Sequence, residues 1–274
     1  VLAPRLPGSQ TWDERSSIPV WRYGGFWTGS FQAFPVFCGT SQFRAAITQS
    51  KSHILAVHPA FGGAYAALAR RAGNRIPYSV LAYGPEFLRC LSSGHSMRRK
   101  FLNEIYSGAE SVLAVSRFAR DGLLQFGVSP GKVHLCPAGV DTERFRPERV
   151  EGVAREKLGV EGEGPFLLST GGLQPHRRHS LVLDLIPSLA EEWPSIMYWI
   201  SGEGPEENFL RQRIKKAGIN RHVRFWKGLP EVKLPWLYQA CDVFVYPAVQ
   251  EGHQVDGAGL ALLEAAACSA PVIA

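Results

Sequence analysis

The stretch EGHQVDGAGLALLEAAACSAPVIA, Glu251 to Ala274, combines a glycine-flanked turn, an apolar helix-like run and a short β-branched strand. It follows another apolar strand, Val243–Tyr246, so Gly257 and Gly259 flank a turn at a strand's carboxyl edge and open a helix over Gly259–Cys268. Val272–Ile273 then reads as the next strand. Strand, turn, helix and strand in this order belong to a parallel sheet with crossover helices. The first turn of a helix leaves backbone N–H groups unpaired and carries partial positive charge, so the amides near Gly259, Leu260 and Ala261 suit a phosphate. Glycine there lets a ligand approach the backbone. Glu264 is the one charged residue between Leu260 and Cys268. At about 100° per residue it lies roughly 40° around the helix from Leu260. That is a boundary position, equally suited to a solvated glutamate and to a ligand contact.

Working outward, the same alternation fills the chain. Upstream lie strands Phe166–Ser169, Ile196–Ile200 and Val223–Trp226, separated by helices Ser180–Glu191, Glu206–Lys216 and Leu234–Ala240. Residues 141–164 shift to charge, proline and glycine and read as an interdomain linker with one short helix. Before it come strands near Ile18–Trp21, Ile54–Val57, Ser79–Ala82, Val112–Val115 and Val133–Cys136. Helix Ala64–Ala72 falls among these strands, as does one capped by Ser116 and closed near Gly127. The expected architecture is α/β, with two Rossmann-like doubly wound domains. The first spans 1–140 and the second 165–274. Val1-Leu2-Ala3 reads as the tail of a strand, and the chain stops just after its last one. The expectation is therefore a piece truncated at both ends, with both domains incomplete, inactive and marginally folded alone.

Of 274 residues, 45% are hydrophobic and 20% charged, a globular composition rather than a disordered one. No apolar run approaches the ~18 residues of a membrane span. The net charge of +6 suits anionic ligands, but no basic stripe interleaved with aromatics points to nucleic acid. Cys38, Cys90, Cys136, Cys241 and Cys268 are odd in number and scattered, as expected of free thiols in a reducing, cytoplasmic setting.

The motif at Glu251–Ala274 resembles retaining glycosyltransferase family 4, whose donor segment runs E-G-x-G-L-x-x-L-E-A and often continues A-C-G-x-P-V-I-A. Asp256 and Glu264 fall at the spacing of the two family glutamates, and Gly257, Gly259 and Leu260 match directly. The resemblance implies that the first carboxylate meets hydroxyls of the donor sugar and the second holds the ribose. Asp256 is one methylene shorter than the usual glutamate, and Ser269 stands where glycine is common. GGLQPHRRHSLVLDLI resembles the family's G-R-L-x-P-x-K-G segment, whose cations clamp the donor diphosphate. Gly171 matches there, Gly172 replaces the arginine, and Arg177 keeps a cation capable of bidentate phosphate binding. Arg178 or His176 is the candidate substitute for the missing charge. ISGEGPEENFL resembles the G-x-G-P turn, with Gly202 and Gly204. RHVRFWKGLPEVKLPWLYQACDVFVYPA resembles the base-binding loop and A-D-V run, placing Lys227 and Leu229 near the nucleobase.

In the first domain VLAVSRFARDGLLQFGVSPGKVHLCPAGVDTERFRP resembles the end of the family's N-terminal half, and AYGPE its H-G-x-E segment. That alignment places Tyr83 where a histidine contacts the donor sugar near the reacting centre; packing at a strand end is the alternative. His58 aligns with another family histidine and is expected to pack. Met97, Arg98, Arg99, Lys100, Phe101 and Leu102 form a basic, amphipathic helix face. This suits either solvation or peripheral contact with the inner face of a membrane, as in lipid-glycosylating relatives.

By resemblance, then, the chain looks like a retaining hexosyltransferase of the GT-B type, similar to phosphatidylinositol mannosyltransferase-like enzymes. The donor would be GDP-mannose or UDP-glucose in type, the acceptor a lipid or carbohydrate hydroxyl, with no cofactor. No D-x-D pair is present, so metal independence is expected. Two other classes remain. A non-catalytic nucleotide-sugar-binding protein fits the departures at Gly172, Tyr83 and Asp256. An NAD-dependent oxidoreductase fits poorly, since Gly202-Glu203-Gly204 lacks the third glycine of the dinucleotide fingerprint.

Overall fold

A computed structural model describes residues 2–4, 21–23, 53–71, 76–92, 96–147, 152–162, 164–251, 254–256 and 258–274. The chain divides into two compact units, Val1–Pro137 and Ala138–Ala274.

In the first unit β1 (Leu2–Pro4) pairs in parallel with β2 (Trp21–Tyr23). The expected strand Ile18–Trp21 meets β2 only at Trp21, and its other residues lie outside those described. A second sheet runs in the order β3 (Ile54–Ala56), β4 (Tyr78–Ala82), β5 (Ser111–Ala114), β6 (Val133–Leu135), all parallel. A π-turn over Pro59–Gly63 leads into α1 (Ala64–Arg71). Helices α2 (Pro85–Ser92), α3 (Ser96–Gly108) and α4 (Arg117–Phe126) complete the unit. Helix α4 has both expected ends. Ser116 Oγ accepts from the Ala119 amide at 3.1 Å, and Gly127 at φ 104° turns its N–H back to the Leu123 and Leu124 carbonyls. Such an N-cap is worth about 1 kcal/mol, and the left-handed close is natural only to glycine. Val80, Val112 and Ala114 point into a core shared with Phe87, Ile105, Leu123 and Phe126. His58 lies in the turn after β3, and desolvation of its ring lowers its pKa below the ordinary value.

The second unit is built on β7 (Phe166–Thr170), β8 (Met197–Ser201), β9 (Val223–Trp226), β10 (Val243–Val245) and β11 (Val272–Ile273). The spatial order is β11-β10-β7-β8-β9, all parallel. Its helices are α5 (Val153–Lys157), α6 (His179–Glu192), α7 (Glu207–Ala217), α8 (Leu234–Ala240) and α9 (Leu260–Ala267). Alternation along the strands feeds two cores. Phe166, Leu168, Trp199 and Phe244 face Leu237, Tyr238 and Ala265 of α8 and α9. Tyr198 and Ile200 face Val182, Leu183 and Ile186 of α6 and Leu210 and Ile214 of α7. Helices on both faces of a parallel sheet make this a doubly wound unit.

In the stretch expected as a linker, 141–164, the described residues pack with the second unit. Phe145, Ala154 and Leu158 are buried in its core, and Arg155 reaches Asp242 at 2.8 Å and the Ala240 carbonyl at 3.0 Å. Its polar, glycine-rich composition hid three apolar anchors. Cys90, Cys136, Cys241 and Cys268 are free thiols, while Cys38 lies outside the described residues. Among the described residues no helix is long and apolar enough to cross a membrane.

Candidate functional site

The chain runs outward from β7 through β8 to β9, then returns to place β10 on the other side of β7. Ligands of open α/β sheets bind at such a switch point, beyond the carboxyl ends of the strands. A pocket of about 450 Å³ opens there, lined by Thr170 at the end of β7, Gly171 just after it, Tyr246 after β10, Arg177, Asp256, and Glu264 on α9. Gly259, Leu260 and Ala261 at the start of α9 line it too, as does Leu229.

Two glycine turns shape the floor. After β7 and β8 the chains stay hydrogen bonded, from the Gly171 amide to the Ser201 carbonyl and from the Leu173 amide to the Glu203 carbonyl, both at 2.9 Å. A side chain on Gly202 would run into the Gly171 carbonyl, and one on Gly204 would meet the Leu173 carbonyl at 2.5 Å. These glycines are required by close approach of backbone to backbone, and they support the pocket without lining it.

Arg177 and Asp256 meet within the pocket, with Nε 2.8 Å from Oδ2. The same Oδ2 accepts the Tyr246 hydroxyl, and His176 Nε2 lies 3.4 Å from Oδ1. The guanidinium sits 5.3 Å from the centre of the Tyr246 ring, a cation–π stack. Burial, joined by the bond to Asp256, pushes the Tyr246 phenol above its ordinary value, so it remains a donor. On the other wall Tyr238 donates to Glu264 Oε2 at 2.7 Å. Gly259, at φ 58°, opens α9 with no side-chain cap. Leu260 and Ala261 line the pocket from the first turn of α9, where backbone amides lack an intrahelical partner.

Several expected residues fall elsewhere. Gly172 does not line the pocket. Lys227 is half-exposed and held by Glu207 Oε1 at 2.7 Å, drawn there by a carboxylate that the base-loop reading did not include. Neither candidate for the missing cation supplies a free charge: His176 is buried against Asp256, and Arg178 is exposed with Nη2 3.5 Å from Glu251. Gly257 lies outside the described residues. Tyr83, in the first unit, directly follows β4, and its amide bonds Glu86 Oε1 at 2.8 Å. Glu86 also accepts from the Gly84 amide at 3.0 Å and so closes the start of α2. Burial, then the Glu86 charge, raises the Tyr83 phenol, keeping it protonated. Thr170, Tyr238 and Tyr246 were not foreseen. Their positions at or behind the carboxyl edges of two neighbouring strands were the available signal.

The family model for Glycosyltransferase Family 4 matches residues 1–144, and that for Glycosyl transferases group 1 matches residues 151–274. A GDP-mannose-dependent alpha-(1-6)-phosphatidylinositol monomannoside mannosyltransferase of Mycolicibacterium smegmatis is 35% identical over 76% of this chain and 54% of its own. Its Mycobacterium tuberculosis namesake is 28% identical over 81% and 54%. The chain thus spans about half the length of these curated relatives. In fold it is similar to Anabaena HepE solved in complex with UDP, at TM-score 0.76 and 20% identity, over 100% of this chain and 72% of that one. The first-unit match alone covers more than half of the residues, and the chain belongs to Glycosyltransferase Family 4.

Proposed function

We propose that this chain carries the donor site of a retaining hexosyltransferase that moves a sugar from a nucleoside diphosphate to an acceptor hydroxyl. One observation carries the reading: a cation (Arg177), the first residues of a helix (Leu260, Ala261) and two carboxylates (Asp256, Glu264) line one pocket at the switch point. Cation and amides suit a diphosphate, and carboxylates suit sugar and ribose hydroxyls. As the glycosidic bond breaks, charge builds on the departing diphosphate, and donors already aimed at it lower the barrier. The 35% identity to a GDP-mannose-dependent enzyme favours a GDP-linked mannose. That relative's acceptor is a phosphatidylinositol mannoside, which supports a glycolipid acceptor met by a protein peripheral on the inner face of a membrane. With no D-x-D pair in the sequence, transfer is expected to proceed without a divalent cation or other cofactor.

The test is calorimetry and transfer with the full-length protein. Arg177→Ala should weaken GDP binding by ~1.5–3 kcal/mol, the scale of a charge-assisted contact, and leave guanosine binding unchanged. The wild type should move mannose from GDP-mannose to phosphatidylinositol monomannoside vesicles with the anomeric configuration retained by NMR. Equal losses for GDP and guanosine, or no transfer from either GDP-mannose or UDP-glucose, would remove the proposal.

A further inference from the structure

We infer that Thr170 and Tyr238 form a fixed hydrogen-bond relay that positions Glu264, holding one carboxylate oxygen so that the other is presented to a ligand hydroxyl. The Tyr238 hydroxyl lies 2.7 Å from Glu264 Oε2 and 2.7 Å from Thr170 Oγ1. An ionised carboxylate only accepts, so the phenol must donate to Glu264. Its single proton is then spent, and the Thr170 hydroxyl must donate to the phenol. The direction Thr170 to Tyr238 to Glu264 is therefore forced by the chemistry of the ends. Burial pushes the Tyr238 phenol far above its ordinary value, so the donor is never lost near neutral pH.

The relay is anchored at both ends. Thr170 is the last residue of β7, in register with Ser201 of β8. Tyr238 is 1% exposed, with its ring edge-on to Phe145 at 6.0 Å and to Phe244 at 5.4 Å. A ring so enclosed has no second place for its hydroxyl. Glu264 Oε1 has no hydrogen bond among the described residues, and both Thr170 and Glu264 line the pocket. A free glutamate would have to give up rotamer freedom when a ligand arrives, whereas a pinned one has given it up already. Tyr238 stays behind the wall and touches no ligand, so it is a positioning residue.

This inference rests on the donor reading above, in which Glu264 receives a ribose hydroxyl. The experiment uses the full-length protein and whichever of GDP or UDP the wild type binds more tightly, together with the dideoxyribose form of that nucleotide. Tyr238→Phe removes the hydroxyl and keeps the ring. It should weaken binding of the ribonucleotide roughly five- to tenfold, the range of one hydrogen bond and one ordered side chain, and leave the dideoxy form unchanged. Thr170→Val, of matching shape, should give a smaller loss with the same selectivity. A purely structural role would weaken both nucleotides alike, and that result, or no loss for either, overturns the relay. Glu264→Gln separates the two ideas. If it loses ribose discrimination while Tyr238→Phe does not, the relay is wrong and the donor reading stands. If Glu264→Gln does not discriminate, the ribose assignment itself fails and the relay falls with it.

Discussion

Arg177 and Asp256, which resemblance assigns to different parts of a donor, are ion-paired with each other, Nε to Oδ2 at 2.8 Å, with side chains only 19% and 17% exposed. The pair cancels charge in the place where a diphosphate needs a cation, so a donor must compete with Asp256 for Arg177. At an effective dielectric near 20 such a pair is worth about 4 kcal/mol before solvation, and the desolvation of two largely buried groups offsets much of that. Asp256→Asn should therefore tighten GDP binding several-fold while lowering turnover, because the sugar loses a charged partner. Asp256→Glu, longer by a methylene, should alter sugar preference. Calorimetry alongside transfer rates checks both. Weaker GDP binding in Asp256→Asn would show that Asp256 holds Arg177 in place instead of opposing the ligand.

Gly172 offers a gain-of-charge test. A Cβ there would meet the Glu203 carbonyl at 3.7 Å and Gln174 Cγ at 3.8 Å, both ordinary contacts. Gly171 differs: it sits at φ 112°, and a Cβ would lie 2.8 Å from Arg177 Nη1. Gly172→Arg should fold normally, within about 0.5 kcal/mol of the parent, and tighten GDP binding by roughly 1.5–3 kcal/mol. Gly171→Ala should lose both stability and GDP affinity. Chemical denaturation and calorimetry measure the two effects. A Gly172→Arg protein with unchanged GDP affinity would place residue 172 outside the phosphate subsite.

Ser269 occupies a position whose backbone explains the glycine preferred there. Its φ is 61°, its amide bonds the Ala266 carbonyl, and the Ala270 amide reaches back to the Ala265 carbonyl at 3.0 Å. This is a left-handed helix close, costly for a residue with a Cβ by about 1 kcal/mol, partly offset by the greater chain entropy that glycine loses on folding. Ser269→Gly should stabilise the protein by about 0.5 kcal/mol without changing donor binding. Urea unfolding of the two proteins gives the number, and a destabilised variant would mean that the serine hydroxyl contributes more than the strain.

The parts of this molecule legible in the sequence are those set by local rules. The period of the apolar residues and the glycines at 127 and 259 mark strands, caps and the site helix, because backbone conformation depends on neighbours in sequence. The pairing of Asp256 with Glu264, which line one pocket, is legible only through the family resemblance, since spacing alone leaves Glu264 at a boundary position. Long-range partnerships are not legible. Lys227 carries the charge expected of a ligand contact, yet Glu207, twenty residues earlier in sequence, captures it. Tyr238 looks like an ordinary core aromatic, and only the approach of β7 to α8 reveals its hydroxyl between Thr170 and Glu264. Residues 141–164 mislead for a related reason: Phe145, Ala154 and Leu158 are too sparse to give a period, but together they fill one side of a core.

His179 ties stability to pH. It opens α6, is 1% exposed, and its Nδ1 lies 3.0 Å from the Tyr198 hydroxyl, which itself donates to Ser169 Oγ at 2.9 Å. Nδ1 must therefore carry the proton of the neutral ring, while Nε2 is buried without a partner among the described residues. Burial, helped by the charge of Arg177, lowers its pKa from 6.5 to about 4. The unfolded chain thus binds a proton below pH 6.5 that the folded chain refuses until about pH 4. Stability is full above the unfolded value and falls as pH drops through that window. The loss grows at ~1.4 kcal/mol per pH unit and totals on the order of 3 kcal/mol. His179→Gln retains a donor and cannot titrate. Between pH 7 and pH 5, wild type should lose about 2 kcal/mol more than the variant in urea unfolding. Parallel losses in the two proteins would show that His179 titrates alike in the folded and unfolded chain, its ring open to water.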